Sequence, residues 1–142
     1  MNLLLTLAVA LTLSGPSPEG KWKTIDDDSK KPRSIVKISK DAAGALSGTI
    51  IHIYPLAGQP DDPVCEKCEG ALKDKPVDGM TILKGLTWDG ERWSGGTVLD
   101  PENGKTYKCF IELQDGGKKI KLRGFVGGPL LGRTQYWYRL DQ

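Results

Sequence analysis

Residues 92–115, RWSGGTVLDPENGKTYKCFIELQD, decide how the rest of the chain is read. Two apolar-alternating runs flank Asp100-Pro101-Glu102-Asn103-Gly104-Lys105, a connection in which Pro101 presets its φ at about −65° and Asn103-Gly104 tolerates positive φ. The second run places Tyr107, Cys109, Ile111 and Leu113 on one face and Lys108, Phe110, Glu112 and Gln114 on the other. This is the pattern of a β-hairpin with one face buried.

Working outward, the same period of two recurs on both sides. Toward the C-terminus, Gly116-Gly117 turns the chain into Lys118–Val126, where Ile120, Leu122 and Gly124 alternate with Lys119, Lys121 and Arg123. A glycine-rich link, Gly127–Gly132, leads to a last run, Arg133–Leu140. Toward the N-terminus, Asp89-Gly90 joins the hairpin to Met80–Trp88, and three earlier runs, Gly20–Asp26, Ser34–Lys40 and Ala45–Tyr54, read as a meander. Between Pro55 and Gly79 the period is lost, and four prolines, several charges and the pair Cys65 and Cys68 mark one long connection with a helical turn near Glu66–Leu72. Eight short strands joined mostly by tight turns predict an all-β fold, an eight-stranded antiparallel up-and-down barrel in preference to a sandwich. Closure removes the edges an open meander would leave, and eight strands enclose an interior that side chains fill or that holds one small ligand.

Composition narrows the class. The 142 residues suit one domain, and the 38% hydrophobic and 27% charged shares are those of a globular protein. Twenty basic and eighteen acidic residues are interspersed to a net charge of +2, which argues against a nucleic-acid partner and against a polybasic membrane patch. Leu3–Leu13 is an uncharged apolar run too short to span a bilayer, followed by the small residues Ser14-Gly15-Pro16-Ser17-Pro18. It reads as a secretory signal over residues 1–17, leaving a single barrel domain over 18–142 with no membrane span and an oxidising destination.

Chemistry-bearing residues are few. Cys65-Glu66-Lys67-Cys68 lies in a proline-rich loop and not at the start of a helix after a parallel strand, the setting that lowers a thiol pKa, so a Cys65–Cys68 disulfide is expected. Cys109 is then a reduced interior residue, unless it instead bridges its strand to the long loop. The single His52 and the three cysteines lack the paired spacing of a zinc site, and Asp26-Asp27-Asp28 lacks the alternating ligands of a calcium loop. No nucleophile–base pair or paired carboxylates stand out, so no catalytic, metal or cofactor residues are assigned.

The order of motifs resembles an uncharacterised family of bacterial envelope proteins that carries the label of a domain of unknown function. The resemblance rests on Gly20-Lys21-Trp22-Lys23-Thr24-Ile25-Asp26, on Cys65-Glu66-Lys67-Cys68-Glu69-Gly70, on Trp93-Ser94-Gly95-Gly96 with residues 100–107, and on Arg123-Gly124 with Gly132-Arg133-Thr134. It implies a lipocalin-like eight-stranded barrel in the bacterial periplasm that binds a small molecule. Gly20-Lys21-Trp22 is also similar to the glycine-any-tryptophan signature that opens the first lipocalin strand, which implies a tryptophan at the closed end beneath an arginine of the last strand. Arg139 is the candidate for that arginine.

The function expected is therefore a binding or carrier barrel for a small, partly apolar ligand, with Trp22, Tyr107, Cys109, Ile111, Leu122 and Trp137 lining the lumen. With Trp137 inside, Arg133, Gln135 and Arg139 share its face and suit a lipid-like ligand with a carboxylate or phosphate head. The opposite parity puts Tyr136, Tyr138 and Leu140 inside and both arginines in solvent. Two other classes compete: a thiol-active envelope protein using Cys65 and Cys68, and a structural or interaction module using the long loop.

Overall fold

The computed structural model describes residues 16–140, in which eight antiparallel strands close into a barrel, each paired with its neighbour in sequence and the last with the first. The strands are β1 (Gly20–Ile25), β2 (Pro32–Lys40), β3 (Leu46–Ile53), β4 (Thr81–Trp88), β5 (Trp93–Asp100), β6 (Lys105–Gln114), β7 (Lys119–Phe125) and β8 (Gly132–Arg139). The expected signal run Leu3–Leu13 lies outside the described residues. Among the described residues no helix is long and apolar enough to cross a membrane.

Alternation sets each strand's inner face. In β2, Ser34, Val36 and Ile38 are buried while Lys37 and Ser39 are exposed, as a half-buried strand requires. The hairpin of β5 and β6 pairs Asp100 with Lys105 and Val98 with Tyr107, so the turn is tight and Tyr107 and Cys109 face inward. Phe110, on the outer face, is covered by the Arg92 guanidinium, 3.9 Å from its ring centroid. At Gly48 the β3–β4 register slips, as at a β-bulge. In β8 Trp137 is buried while Tyr136 and Tyr138 are exposed, which fixes the parity in favour of the tryptophan.

The four connections between β1 and β2, β3 and β4, β5 and β6, and β7 and β8 gather at one end of the barrel. The longest, residues 54–80, contains a single 3₁₀ turn at Gly70–Leu72. At the other end, Trp22, Val36, Ile38, Leu46, Leu83, Leu86, Ile111 and Ile120 form a packed floor. One half of the barrel is thus filled.

Candidate functional site

The floor is sealed by the two residues the sequence paired. Trp22 donates its indole N–H to the carbonyl of Pro18 at 2.8 Å, and the Arg139 guanidinium lies over its ring, 4.4 Å from the centroid. Arg139 also donates from Nε to the Gly117 carbonyl at 2.8 Å, from Nη1 to that of Glu19 at 2.8 Å and from Nη2 to that of Ser17. One planar fork therefore ties the lead-in to β1, the β6–β7 turn and the end of β8, a task its fixed donor geometry suits. The approach is close: a Cβ on Gly20 would stand 2.7 Å from Nη1. Trp22 and Arg139 are structural here and do not line a lumen, which corrects the expectation that placed them there.

Cys109 and Ile111 are also not cavity walls. Both are buried in the packing beneath it, where Cys109 is opposite Gly96 and Gly124. Cys109 is a free cysteine, and burial pushes its thiol up to about 12 because the thiolate would be stranded away from water.

Above this floor a cavity of about 780 Å³ opens to the mouth, and the other four candidates, Tyr107, Leu122, Trp137 and Arg133, line it. Its depth is apolar, with Ile50, Ile53, Ile82 and Val98 beside Leu122 and Trp137. Three polar features interrupt that lining. Thr24 and Ser34, only 8% and 7% exposed, place their hydroxyls 2.7 Å apart across β1 and β2, which leaves acceptor lone pairs on the wall. Gln135 accepts the Trp137 indole N–H at 3.3 Å, and the Tyr107 hydroxyl accepts from the Asn103 amide at 2.9 Å, so the hairpin turn itself positions the phenol. Thr24 and Ser34 were not among the residues expected at the site. Their strand parity with Trp22 and Val36 was the available signal.

The rim is charged and self-paired. Arg133 reaches Asp27 at 3.3 Å and Asp100 at 3.5 Å, and Arg33 meets Glu102 at 3.0 Å. The lining contains six carboxylates, from Asp26, Asp27, Asp28, Glu66, Asp100 and Glu102, against the three cations of Arg33, Lys67 and Arg133. The acidic-headed ligand expected from Arg133 and Arg139 loses both anchors, since one guanidinium faces two carboxylates and the other is at the opposite end of the barrel. Asp26 is held below the usual carboxylate range, chiefly by the backbone N–H and hydroxyl of Ser29, so the acidic run caps its own turn.

The long loop folds over this rim around a Cys65–Cys68 disulfide. It closes on itself through Cys65 N–H to the Lys75 carbonyl and Asp74 N–H to the Cys65 carbonyl, both 2.8 Å, beside a bridge between Val64 and Pro76. Both sulfurs are buried, and Cys65 Sγ lies 3.4 Å from the Pro101 carbonyl. Gly104, at φ +74°, lies so close beneath the loop that a Cβ there would fall 2.0 Å from the Lys67 carbonyl oxygen. The CxxC disulfide closes a small ring within the loop, which rests on the β5–β6 turn beside the three-residue 3₁₀ turn at Gly70–Leu72.

Among solved structures, the chain is similar to protein HP1028 of Helicobacter pylori, described as belonging to the lipocalin family, with a TM-score of 0.75 and 19% identity. The likeness covers 89% of this chain and 85% of that one, and at this identity it is a likeness of fold. No curated protein matches the sequence. A family model described as "Uncharacterized protein conserved in bacteria (DUF2147)" matches residues 20–139, from the start of β1 to the end of β8, and the chain belongs to that family.

Proposed function

We propose that this protein is a periplasmic binding or carrier barrel that holds one small, partly apolar molecule in its half-open lumen, with the polar end of the ligand at the mouth. The observation that carries this reading is the cavity of about 780 Å³. It falls within the roughly 300–1,000 Å³ usual for small-molecule sites and has their pattern of apolar depth with a few convergent polar groups. The lipocalin-like fold of HP1028 supports the same reading. The apolar leader and the Cys65–Cys68 disulfide support export to an oxidising compartment.

The rim narrows the ligand's head. An anionic head would enter a mouth where carboxylates outnumber cations two to one, and it would have to displace Asp27 or Asp100 to reach Arg133. A neutral hydroxyl finds acceptors in Thr24 and Ser34, and a cationic head meets Asp28 and Glu66, carboxylates outside the rim's ion pairs with Arg33 and Arg133.

Native mass spectrometry of protein purified from its own envelope tests the cavity reading, with Gly124→Phe as the plugged control. A Cβ at Gly124 meets only ordinary contacts, 3.6 Å to Val98 and 3.7 Å to Tyr107. A small co-purifying mass is expected in the wild type and not in the variant; its absence from the wild type, or its retention by the variant, refutes the reading. Displacement of a neutral naphthylamine probe by dodecanol, dodecylamine and dodecanoate then tests the head. Dodecanoate is expected to be the weakest competitor, and finding it the strongest would overturn the head assignment while leaving the cavity in place.

A further inference from the structure

The β7–β8 connection, FVGGPLLG over residues 125–132, carries no charge and presents Val126, Leu130 and Leu131 at 64%, 94% and 73% exposure. Turns at the ends of barrel strands are ordinarily polar, and the exposed aromatic side chains Trp88 and Tyr136 of this chain have partners. Trp88 leans on Trp93 with centroids 5.6 Å apart, and Lys119 lies over Tyr136 at 4.5 Å.

This display is built, not frayed. Val126 N–H donates to the Leu131 carbonyl at 3.2 Å, and Leu131 N–H donates to that of Gly128 at 3.0 Å. Arg123 donates from Nε to the Pro129 carbonyl at 2.9 Å and from Nη1 to Thr134 at 3.1 Å, so its guanidinium braces the loop from outside the barrel. At the root, a Cβ on Gly132 would fall 2.2 Å from the Gly124 carbonyl oxygen, which keeps the two strands close beneath the loop. Val126 and Leu131 also line the cavity, so an apolar track runs from the outer surface into the lumen.

We infer that this loop docks the barrel mouth onto a lipid bilayer. Three side chains form a patch far smaller than the roughly 20–30 residues per partner of a stable protein–protein interface, so the patch is too small to hold a second copy or a protein partner by itself. A bilayer needs no matching surface, and a few inserted leucines give the weak, reversible contact that a carrier requires. The excess of carboxylates at the rim favours zwitterionic over anionic lipid. That the docked mouth exchanges ligand with the bilayer rests on the cavity being a ligand site; the docking does not.

The test is flotation of the folded protein with phosphatidylcholine vesicles, comparing wild type, Leu130→Ser with Leu131→Ser, and the plugged Gly124→Phe. The wild type is expected to float, with partitioning reduced by added phosphatidylglycerol. The double serine variant, altered only at exposed positions, is expected to lose at least tenfold in partitioning, and Gly124→Phe to float like the wild type. A wild type that stays with the solution, or a serine variant that floats equally, overturns the inference. Loss of flotation in Gly124→Phe alone overturns it differently, by assigning vesicle binding to lipid captured in the lumen. A dimer seen by sedimentation in the wild type, abolished in the serine variant and unaccompanied by vesicle binding, assigns the loop to a second copy.

Discussion

Gly104→Ala probes how the disulfide loop is seated on the hairpin, and the structure allows its cost to be divided. The backbone at Gly104 has φ +74°, where an L-residue with a Cβ loses about 1–2 kcal/mol. The new Cβ would also stand 2.0 Å from the Lys67 carbonyl oxygen, 2.3 Å from the Lys67 carbonyl carbon and 2.7 Å from the Cys68 nitrogen, all backbone atoms that cannot rotate away. Restoring an ordinary 3.4 Å contact moves the loop by about 1.4 Å, and overpacking shifts of this kind cost roughly 1–3 kcal/mol. Gly44 supplies the control, because its φ is +89° and a Cβ there meets nothing within 4 Å, so Gly44→Ala carries the torsional cost alone. Urea unfolding of both variants should show Gly104→Ala less stable than Gly44→Ala by about 1–3 kcal/mol with unchanged m-values. In a Cys65→Ser, Cys68→Ser background the ring that holds Lys67 and Cys68 is open and their backbone can yield, so that excess should fall by at least half. If the two alanine variants differ by less than about 0.5 kcal/mol in the disulfide-bonded protein, the loop does not bear on the turn.

Replacing Arg139 by Met should cost about 2–3 kcal/mol, from three charge-assisted hydrogen bonds and the stack on Trp22, discounted because two of those bonds are exposed. Arg139→Lys should recover less than half of that loss in urea unfolding, since an ammonium cannot span three carbonyls; full recovery would show that charge alone matters. Cys109, whose thiol is raised from 9.0 to about 12, should resist iodoacetamide in the native protein at pH 8 and react at once in urea. The stability it contributes as a neutral thiol is complete below its unfolded pKa and is lost as pH climbs from about 9 toward about 12, so Cys109→Ala should flatten that alkaline slope. Asp89 is lowered to about 2 by the Arg92 N–H, the Ser94 hydroxyl and the Glu91 N–H. Its contribution is present above 3.8 and lost as pH falls toward about 2, and an Asp89→Asn variant with the same acid unfolding profile as wild type would contradict it.

Strand number and order were legible in the sequence because a half-buried barrel wall imposes a period of two, which β2 and β7 keep and which β4 and β5 break at the positive-φ Gly85 and Gly95. Alternation also identified Tyr107, Cys109, Ile111 and Leu122 as inward; for β8 it left two faces open, and the structure buries Trp137. Alternation could not divide that set into floor and wall. Height along the barrel depends on the shear between strands, which alternation does not encode. Thus Cys109 and Ile111 entered the expected lining although they belong to the packing below it. Arg133 and Arg139 share one face of β8 but stand at opposite ends, one facing carboxylates at the rim and the other stacked on Trp22. The carboxylates that neutralise Arg133 come from two different turns, a juxtaposition that only barrel closure creates.

The open half of the lumen is set by side-chain size along the strands. On β1 the inward series runs from Trp22 at the floor to Thr24 at the mouth; on β2, from Ile38 and Val36 to Ser34; on β7, from Ile120 through Leu122 to Gly124. Space left this way lowers stability, because each small inward residue gives up burial that a larger one would gain. Gly124→Phe is therefore expected to raise stability by about 0.5–2 kcal/mol in urea unfolding, since it fills existing space at a strand position without positive φ and replaces glycine with a residue that favours strands. The same variant is expected to abolish displacement of the naphthylamine probe. Gain in stability with loss of binding is the signature of a cavity kept open against the interests of packing. If Gly124→Phe instead destabilises the barrel by more than about 1 kcal/mol, the side chain is being forced into occupied space and the upper lumen is not the room that a ligand would need.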